Sequence, residues 1–240
     1  MYLINYSKIM NKIYQSMQST MEIFISSIIY GERYNGKTQL VKSIYKDSLW
    51  VDGSNLLEVQ KALKENNYVV IENFEKISDL DSLNFEHKNI VAIYNGKNLS
   101  KRIKEKFAFI YHLPPLRERD EDIKAISNIY LQEAKEVFDI DENITIDTKD
   151  LDISKNLKSL KTSIYKSVLL KNIDKNELSL LLYNYFLKNY EGENIYKKQL
   201  SIFEKELIKA GLDIYKSQLK LSEILGINRN TLRKKVNEYL

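Results

Sequence analysis

The chain of 240 residues contains no cysteine, two prolines, seven glycines and two histidines. Without cysteine there is no disulfide framework, no thiolate metal site and no cysteine nucleophile. The histidines, His87 and His112, lie 25 positions apart, which leaves a histidine-rich metal site or a Ser-His-Asp triad little to build on. No apolar run approaches the roughly 20 residues of a membrane span. The stretch Met1–Tyr6 lacks the basic start, apolar run and cleavage site of a signal peptide. These absences point to the cytoplasm and away from a membrane partner. The scarcity of Gly and Pro beside abundant Lys, Ile, Asn and Tyr fits an AT-rich coding bias and carries no functional signal.

At 43% hydrophobic and 29% charged residues the composition is that of an ordinary globular protein. The length suits one large domain or a medium domain with a small appendage. The net charge of +4 becomes informative once it is located: Lys197 to Leu240 carries ten Lys/Arg against five Asp/Glu, whereas the first 196 residues carry 27 against 28. A basic C-terminal fifth on a neutral body is the pattern of a small nucleic-acid-binding appendage.

Up to about residue 112, strand-like and helix-like stretches alternate. Strands are predicted over 23–30, 48–51, 68–71, 90–94 and 107–111, with helices over 37–45 and 56–65. This alternation implies βαβ units and a parallel sheet covered on both faces. Pro114 and Pro115 break the pattern. Beyond them the chain reads as helices at 120–138, 155–170, 175–190, 195–210, 218–225 and 228–239.

Gly31-Glu32-Arg33-Tyr34-Asn35-Gly36-Lys37-Thr38 fits G-x-x-x-x-G-K-[ST], between a strand and a helix as the mechanism requires. The glycines let backbone N–H groups face phosphate oxygens, and the helix N-terminus adds partial positive charge. Lys37 would reach the β/γ-phosphates and Thr38 would ligate Mg²⁺. Bulky Tyr34 inside the loop leaves open a loop that no longer binds. The acidic partner is degenerate: the strand at 68–71 ends in Glu72-Asn73. Glu72 can approach Mg²⁺, but Asn73 cannot accept a proton, so ATP binding with weak hydrolysis is expected. Glu75 could substitute for that base in principle, but two residues further on it reads as a solvated loop carboxylate, and Glu118–Asp122 as a solvated helix start favoured by the helix dipole.

In the basic tail, 195–210 forms an amphipathic helix with Ile195, Leu200, Phe203 and Leu207 on one side. A short helix, a Gly226 turn, an Asn228 N-cap and a basic second helix then make a helix-turn-helix. Ile224, Leu225, Ile227, Leu232 and Val236 are its expected core. Arg229, Asn230, Arg233 and Lys234 then face outward toward base edges, while Lys220 and Lys235 suit phosphates.

With both motifs placed, the chain resembles from end to end the bacterial enhancer-binding proteins. These are AAA+ activators of sigma-54 RNA polymerase that end in a Fis-type helix-turn-helix. Ser7-Lys8-Ile9-Met10 resembles the family's opening segment, which implies that no receiver domain precedes it. Gly31 to Lys37 resembles its Walker A, with Thr38 where the family usually has Glu. The resemblance implies nucleotide contacts at Gly31, Glu32, Asn35, Gly36, Lys37, Thr38 and Gln39. Asn95, closing 90–95, is similar to the sensor I residue, and Lys158 in Asn156–Leu160 stands where sensor II usually has Arg. The most specific likeness is His112 to Ile123, leading into the family's lid. Leu225 to Lys235 is close to its recognition-helix consensus, which implies DNA contacts at Lys220, Asn228, Arg229, Asn230, Thr231, Arg233, Lys234 and Lys235.

Two departures matter. About thirty residues separate Lys37 from the Walker B strand, too few for the family's G-A-F-T-G-A loop that grips sigma-54. The arginine-finger segment is shortened, with Arg102 a weak candidate. The resemblance therefore implies an α/β P-loop AAA+ core with a parallel sheet (1–118, truncated), a helical lid (119–191) and an all-α Fis-type helix-turn-helix (192–240). The expected function is a sequence-specific regulator of double-stranded DNA, with ATP and Mg²⁺ at Thr38 and Glu72, acting as a homodimer through its C-terminal domain or as a higher oligomer. The alternatives are a slow ATPase that remodels a different protein, and an adaptor that uses the tail for protein contacts.

Overall fold

The five strands form one all-parallel sheet whose order, β2-β3-β4-β1-β5, places the first strand between the fourth and fifth. They are β1 (Ser27–Gly31), β2 (Leu49–Asp52), β3 (Tyr68–Glu72), β4 (Asn89–Asn95) and β5 (Phe109–His112). The structure is a computed structural model and describes residues 7–21, 23, 25–140 and 144–240. Phe24 and the Met1–Tyr6 stretch lie outside the described residues.

The central strands β1, β3 and β4 are covered on both faces, which is why they read as continuous apolar runs, whereas the edge strands β2 and β5 leave Leu49 and Ile110 exposed. Ile28, Val51, Val69, Ile71, Ile90 and Ala92 point to one side, where helix α3 (Leu56–Glu65) lays Val59, Ala62 and Leu63 against them. Ile29, Val70, Val91 and Ile93 point to the other. Helix α1 (Lys8–Thr20) covers that side with Met10, Ile13 and Met17, and helix α2 (Lys37–Ile44) with Leu40 and Val41. Helix α1 begins at Ser7, whose Oγ accepts from the Met10 N–H at 3.1 Å. The short helix α4 (Lys101–Lys104) precedes β5.

β1 starts at Ser27 rather than 23, and β5 at Phe109 rather than 107. Phe107 instead packs with Phe74 and Phe85 in an aromatic cluster, with centroids 5.3 Å apart in each pair. After β5, α5 (Asp120–Phe138) and α6 (Asn156–Lys171) pair as a helical lid around Leu116, Ile126, Leu160 and Ile164.

The chain divides into two compact units, 1–172 and 173–240. Helix α7 (Lys175–Lys188), which the sequence reading places within a lid ending at 191, thus clusters with the C-terminal unit. It buries none of its residues. The second unit continues with α8 (Ile195–Tyr215), α9 (Gln218–Leu225) and α10 (Arg229–Tyr239). Among the described residues no helix is long and apolar enough to cross a membrane.

Candidate functional site

β1, β3 and β4 end side by side at the carboxyl edge of the sheet, where open α/β sheets bind ligands. The phosphate loop leaves β1 at Gly31 and enters α2 at Lys37. Gly31 has φ 152, and a Cβ there would lie 2.3 Å from the Leu113 carbonyl oxygen, so only glycine permits the approach. Gly36 caps α2 from a left-handed conformation and offers no side chain to its N–H groups. The first turn of α2 therefore presents backbone donors and partial positive charge, as an anion site does.

Lys37 lies at the centre of the loop and is 3% exposed. Its Nζ donates to the Gly31 carbonyl at 2.9 Å, the Glu32 carbonyl at 2.7 Å and Asn35 Oδ1 at 3.1 Å, engaging all three ammonium protons. Burial pushes Lys37 down to about 8, and Glu75 is the largest charge opposing that fall. Thr38 follows, half-buried, and Gln39 is exposed. Tyr34, with φ 61, does not fill the loop: it turns outward at 51% exposure, and Lys158 Nζ sits over its ring at 5.0 Å.

The loop is held from outside by residues that the sequence reading did not assign. Arg117 donates two bonds, 2.9 and 2.8 Å, to the Glu32 carboxylate. The Arg117 bonds, helped by Asn156 and Lys97, hold Glu32 at about 2. Asn35 Nδ2 donates to the Leu113 carbonyl at 2.8 Å. Arg119 Nη2 donates to the Asn35 carbonyl at 2.6 Å, and its Nη1 to Asp122 Oδ2 at 2.7 Å. Both members of that pair are buried, and burial pushes Arg119 down and Asp122 up. Asp122 is thus no solvated helix start, because it supports the guanidinium that clamps the loop. Asn156, at the start of α6, accepts from the Leu116 N–H at 2.7 Å and donates to the Arg33 carbonyl at 2.9 Å. The stretch His112 to Ile123 carried the signal for Arg117 and Arg119, but their roles needed the fold.

The acidic side differs from expectation. Glu72 ends β3, half-buried, and Asn73 follows with φ 51, a conformation that Asn tolerates. That turn starts a 3-10 segment, Phe74–Lys76, which folds Glu75 back toward the sheet edge. Glu75 is not a solvated loop carboxylate, since its side chain is 16% exposed. Its Oε2 accepts from the Asn95 N–H at 3.0 Å and its Oε1 from Asn95 Nδ2 at 3.1 Å. Arg33 Nη2 of the phosphate loop lies 3.5 Å from Oε1. Asn73 Oδ1 accepts from Asn95 Nδ2 at 3.3 Å, and Asn73 Nδ2 donates to Asp52 Oδ2 at 2.7 Å. Asp52 was missed, and the placement of Glu75 misjudged, because their contacts cross strands.

Among the described residues no cluster of three or more His, Cys, Asp or Glu is arranged to hold a metal. Thr38 and Glu72 could therefore hold Mg²⁺ only together with phosphate oxygens. The uncapped α2 terminus, buried Lys37 and Asn95 lie together at the carboxyl edge of the sheet. Arg102 lies on α4, ion-paired with Asp81 on the surface.

The second candidate surface is the tail. Ile208 of α8, Leu221 of α9 and Leu232 of α10 form its buried centre, flanked by Leu212, Leu225, Ile227 and Val236. Ile224, expected in this core, is 58% exposed. Gly226, at φ 65, makes the left-handed turn after α9. Asn228 Oδ1 then accepts from the Asn230 N–H at 2.8 Å, capping α10. Arg229, Asn230, Thr231, Arg233 and Lys234 are all exposed along the start of α10. Lys220 is exposed beside the Tyr215 ring, 5.5 Å away. Lys235, expected to meet phosphate, instead reaches Glu204 Oε2 at 2.6 Å, which also accepts from Tyr239 at 2.8 Å. It ties α10 to α8.

Residues 199–239 match the family model described as bacterial regulatory protein, Fis family. No curated protein matches the sequence. Among solved structures, NtrX from Brucella abortus is similar at TM-score 0.53 and 16% identity, covering 97% of this chain and 68% of that one. Its complex with ATP gives 0.51 at 15%, with coverages of 97% and 68%. A DNA replication initiation factor gives 0.50 at 14%, with 90% and 73%. At these identities the likeness is one of fold. The chain thus joins a parallel α/β body, similar in fold to NtrX, to a C-terminal segment that matches the Fis-family model.

Proposed function

We propose that this protein is a sequence-specific DNA-binding transcriptional regulator, cytoplasmic, whose AAA+ body binds ATP with Mg²⁺ and hydrolyses it slowly. The observation that carries the reading is the Fis-family tail, with Arg229, Asn230, Arg233 and Lys234 exposed at the start of α10. A recognition helix meets base edges with such residues: Arg suits guanine and Asn suits adenine. Lys220 meets phosphate, and Asn228 fixes the helix start.

The body holds nucleotide through the uncapped α2 terminus, and Lys37 exchanges its loop carbonyls for phosphate oxygens. Thr38 and Glu72 would hold Mg²⁺ beside the phosphates, where it would supply charge neutralisation. Asn95 reads the γ-phosphate, and Lys158, released from Tyr34, reaches it from α6. Hydrolysis is slow because Asn73 stands where a carboxylate would normally receive the proton. The segment between Lys37 and β3 consists of α2, β2, α3 and short turns. This supports a regulator without a sigma-54 contact loop.

The dimer forms along α8. Tyr196, Leu200, Phe203, Leu207 and Ile214 are exposed, and at about 100° per residue they fall in one narrow stripe. Ile208, Leu212 and Tyr215 face the helix-turn-helix instead. A two-fold dimer on that stripe places the recognition helices on half-sites about 34 Å apart. Selection of duplexes from a randomised pool tests this. The expected result is a motif with two-fold symmetry and half-sites about one helical turn apart; a pool that enriches no sequence overturns it.

A further inference from the structure

We propose that Glu75 is the base that activates water in the nucleotide site, replacing the carboxylate that Asn73 cannot supply. The inference rests on the nucleotide-binding reading above and assigns the step that the strand-end motif leaves without a residue.

Three observations carry it. Glu75 is placed rather than loose: its two oxygens accept from the Asn95 N–H at 3.0 Å and from Asn95 Nδ2 at 3.1 Å. Asn95 ends β4, the strand beside β1, so this hold keeps the carboxylate close to the phosphate loop. Second, Glu75 faces the loop itself, with Arg33 at 3.5 Å, and it is the foremost charge favouring protonated Lys37. Third, the chain is bent to bring it there: the left-handed Asn73 (φ 51) and the 3-10 turn return position 75 to the sheet edge. Asn73 then serves as a spacer, fixed by Asp52 at 2.7 Å and by Asn95 at 3.3 Å.

In the reaction, water oxygen adds to the γ-phosphorus as the bond to the β–γ bridging oxygen breaks. The electron pair of that bond leaves on ADP, and the water proton passes to Glu75, from which solvent removes it. Asn95 positions the base, holding Glu75 through its backbone N–H and its Nδ2. General-base help of this kind is worth roughly 10²–10⁴ in rate.

The test compares wild type, Glu75→Gln and Glu75→Asp in two readouts. The first is affinity for a fluorescent ATP analogue with Mg²⁺. The second is the identity of the bound nucleotide, recovered by quenching after hours of incubation. Expected is wild-type affinity within about threefold in Glu75→Gln, with turnover down about 10²-fold or more and intact ATP recovered from the protein. Partial return of turnover in Glu75→Asp supports a carboxylate role over a purely structural one. Two results overturn the proposal: Glu75→Gln turning over at the wild-type rate, or wild type binding ATP and never converting it. Failure of wild type to bind the analogue overturns the nucleotide reading itself, and the base with it.

Discussion

Nucleotide affinity is expected to fall as pH rises, because Lys37 enters the reaction already close to losing its proton. Burial holds the free protein's Lys37 at about 8, against an ordinary 10.5. Bound phosphate favours the ammonium and returns it toward 10.5, so binding takes up a proton above pH 8. The sign follows: well below pH 8 Lys37 is charged in both states and affinity is flat, whereas as pH rises through 8 a growing share of binding events must first protonate the lysine. With a free value of about 8, the protonated fraction drops from about three-quarters at pH 7.5 to about 3% at pH 9.5. Affinity for a fluorescent ATP analogue should therefore weaken about twentyfold between these two values. Calorimetry in two buffers of different ionisation enthalpy should detect the proton uptake. Lys37→Arg, permanently charged, should bind with no such slope. An affinity equal at pH 7.5 and 9.5 in wild type, or the same slope in Lys37→Arg, would refute the reasoning.

Two further predictions concern the supports. Arg119→Met leaves Asp122 buried without its partner and releases the Asn35 carbonyl; it should destabilise the first unit by about 3–5 kcal/mol, read by denaturant unfolding, while adding Asp122→Leu should restore part of that loss. Leu200→Glu with Phe203→Glu places charge on the exposed α8 stripe; sedimentation should find monomers with unchanged helix content and loss of two-fold DNA binding, and an intact dimer would refute the stripe as the interface.

Much of the architecture is legible in the sequence because the relevant signals are local. The β-branched runs at 68–71 and 90–94 mark strands buried on both faces, and helices 56–65, 120–138 and 218–225 form over those very residues. The phosphate loop and the helix-turn-helix are contiguous motifs, so spacing alone locates them. Long-range placement is what the sequence does not display. Glu75 looks like a loop carboxylate until Asn73 turns it onto β4. Asp122 looks like a helix-start acid until Arg119 is seen buried against it. Lys235 belongs to a basic run, yet Glu204, 31 positions earlier, claims it. Ile224 is apolar and still exposed, whereas the core takes Ile208 from α8, sixteen positions earlier.

The central claim is that α10 reads DNA, and equilibrium binding of the selected duplex to wild type and to Arg229→Ala/Arg233→Ala tests it most directly. Both arginines are exposed, so the variant should keep its fold. The account predicts that wild type binds the selected duplex far more tightly than a scrambled one, with affinity falling steeply with salt. The variant should lose on the order of 10²-fold or more of that preference. Equal affinity of wild type and variant for the selected duplex would contradict it.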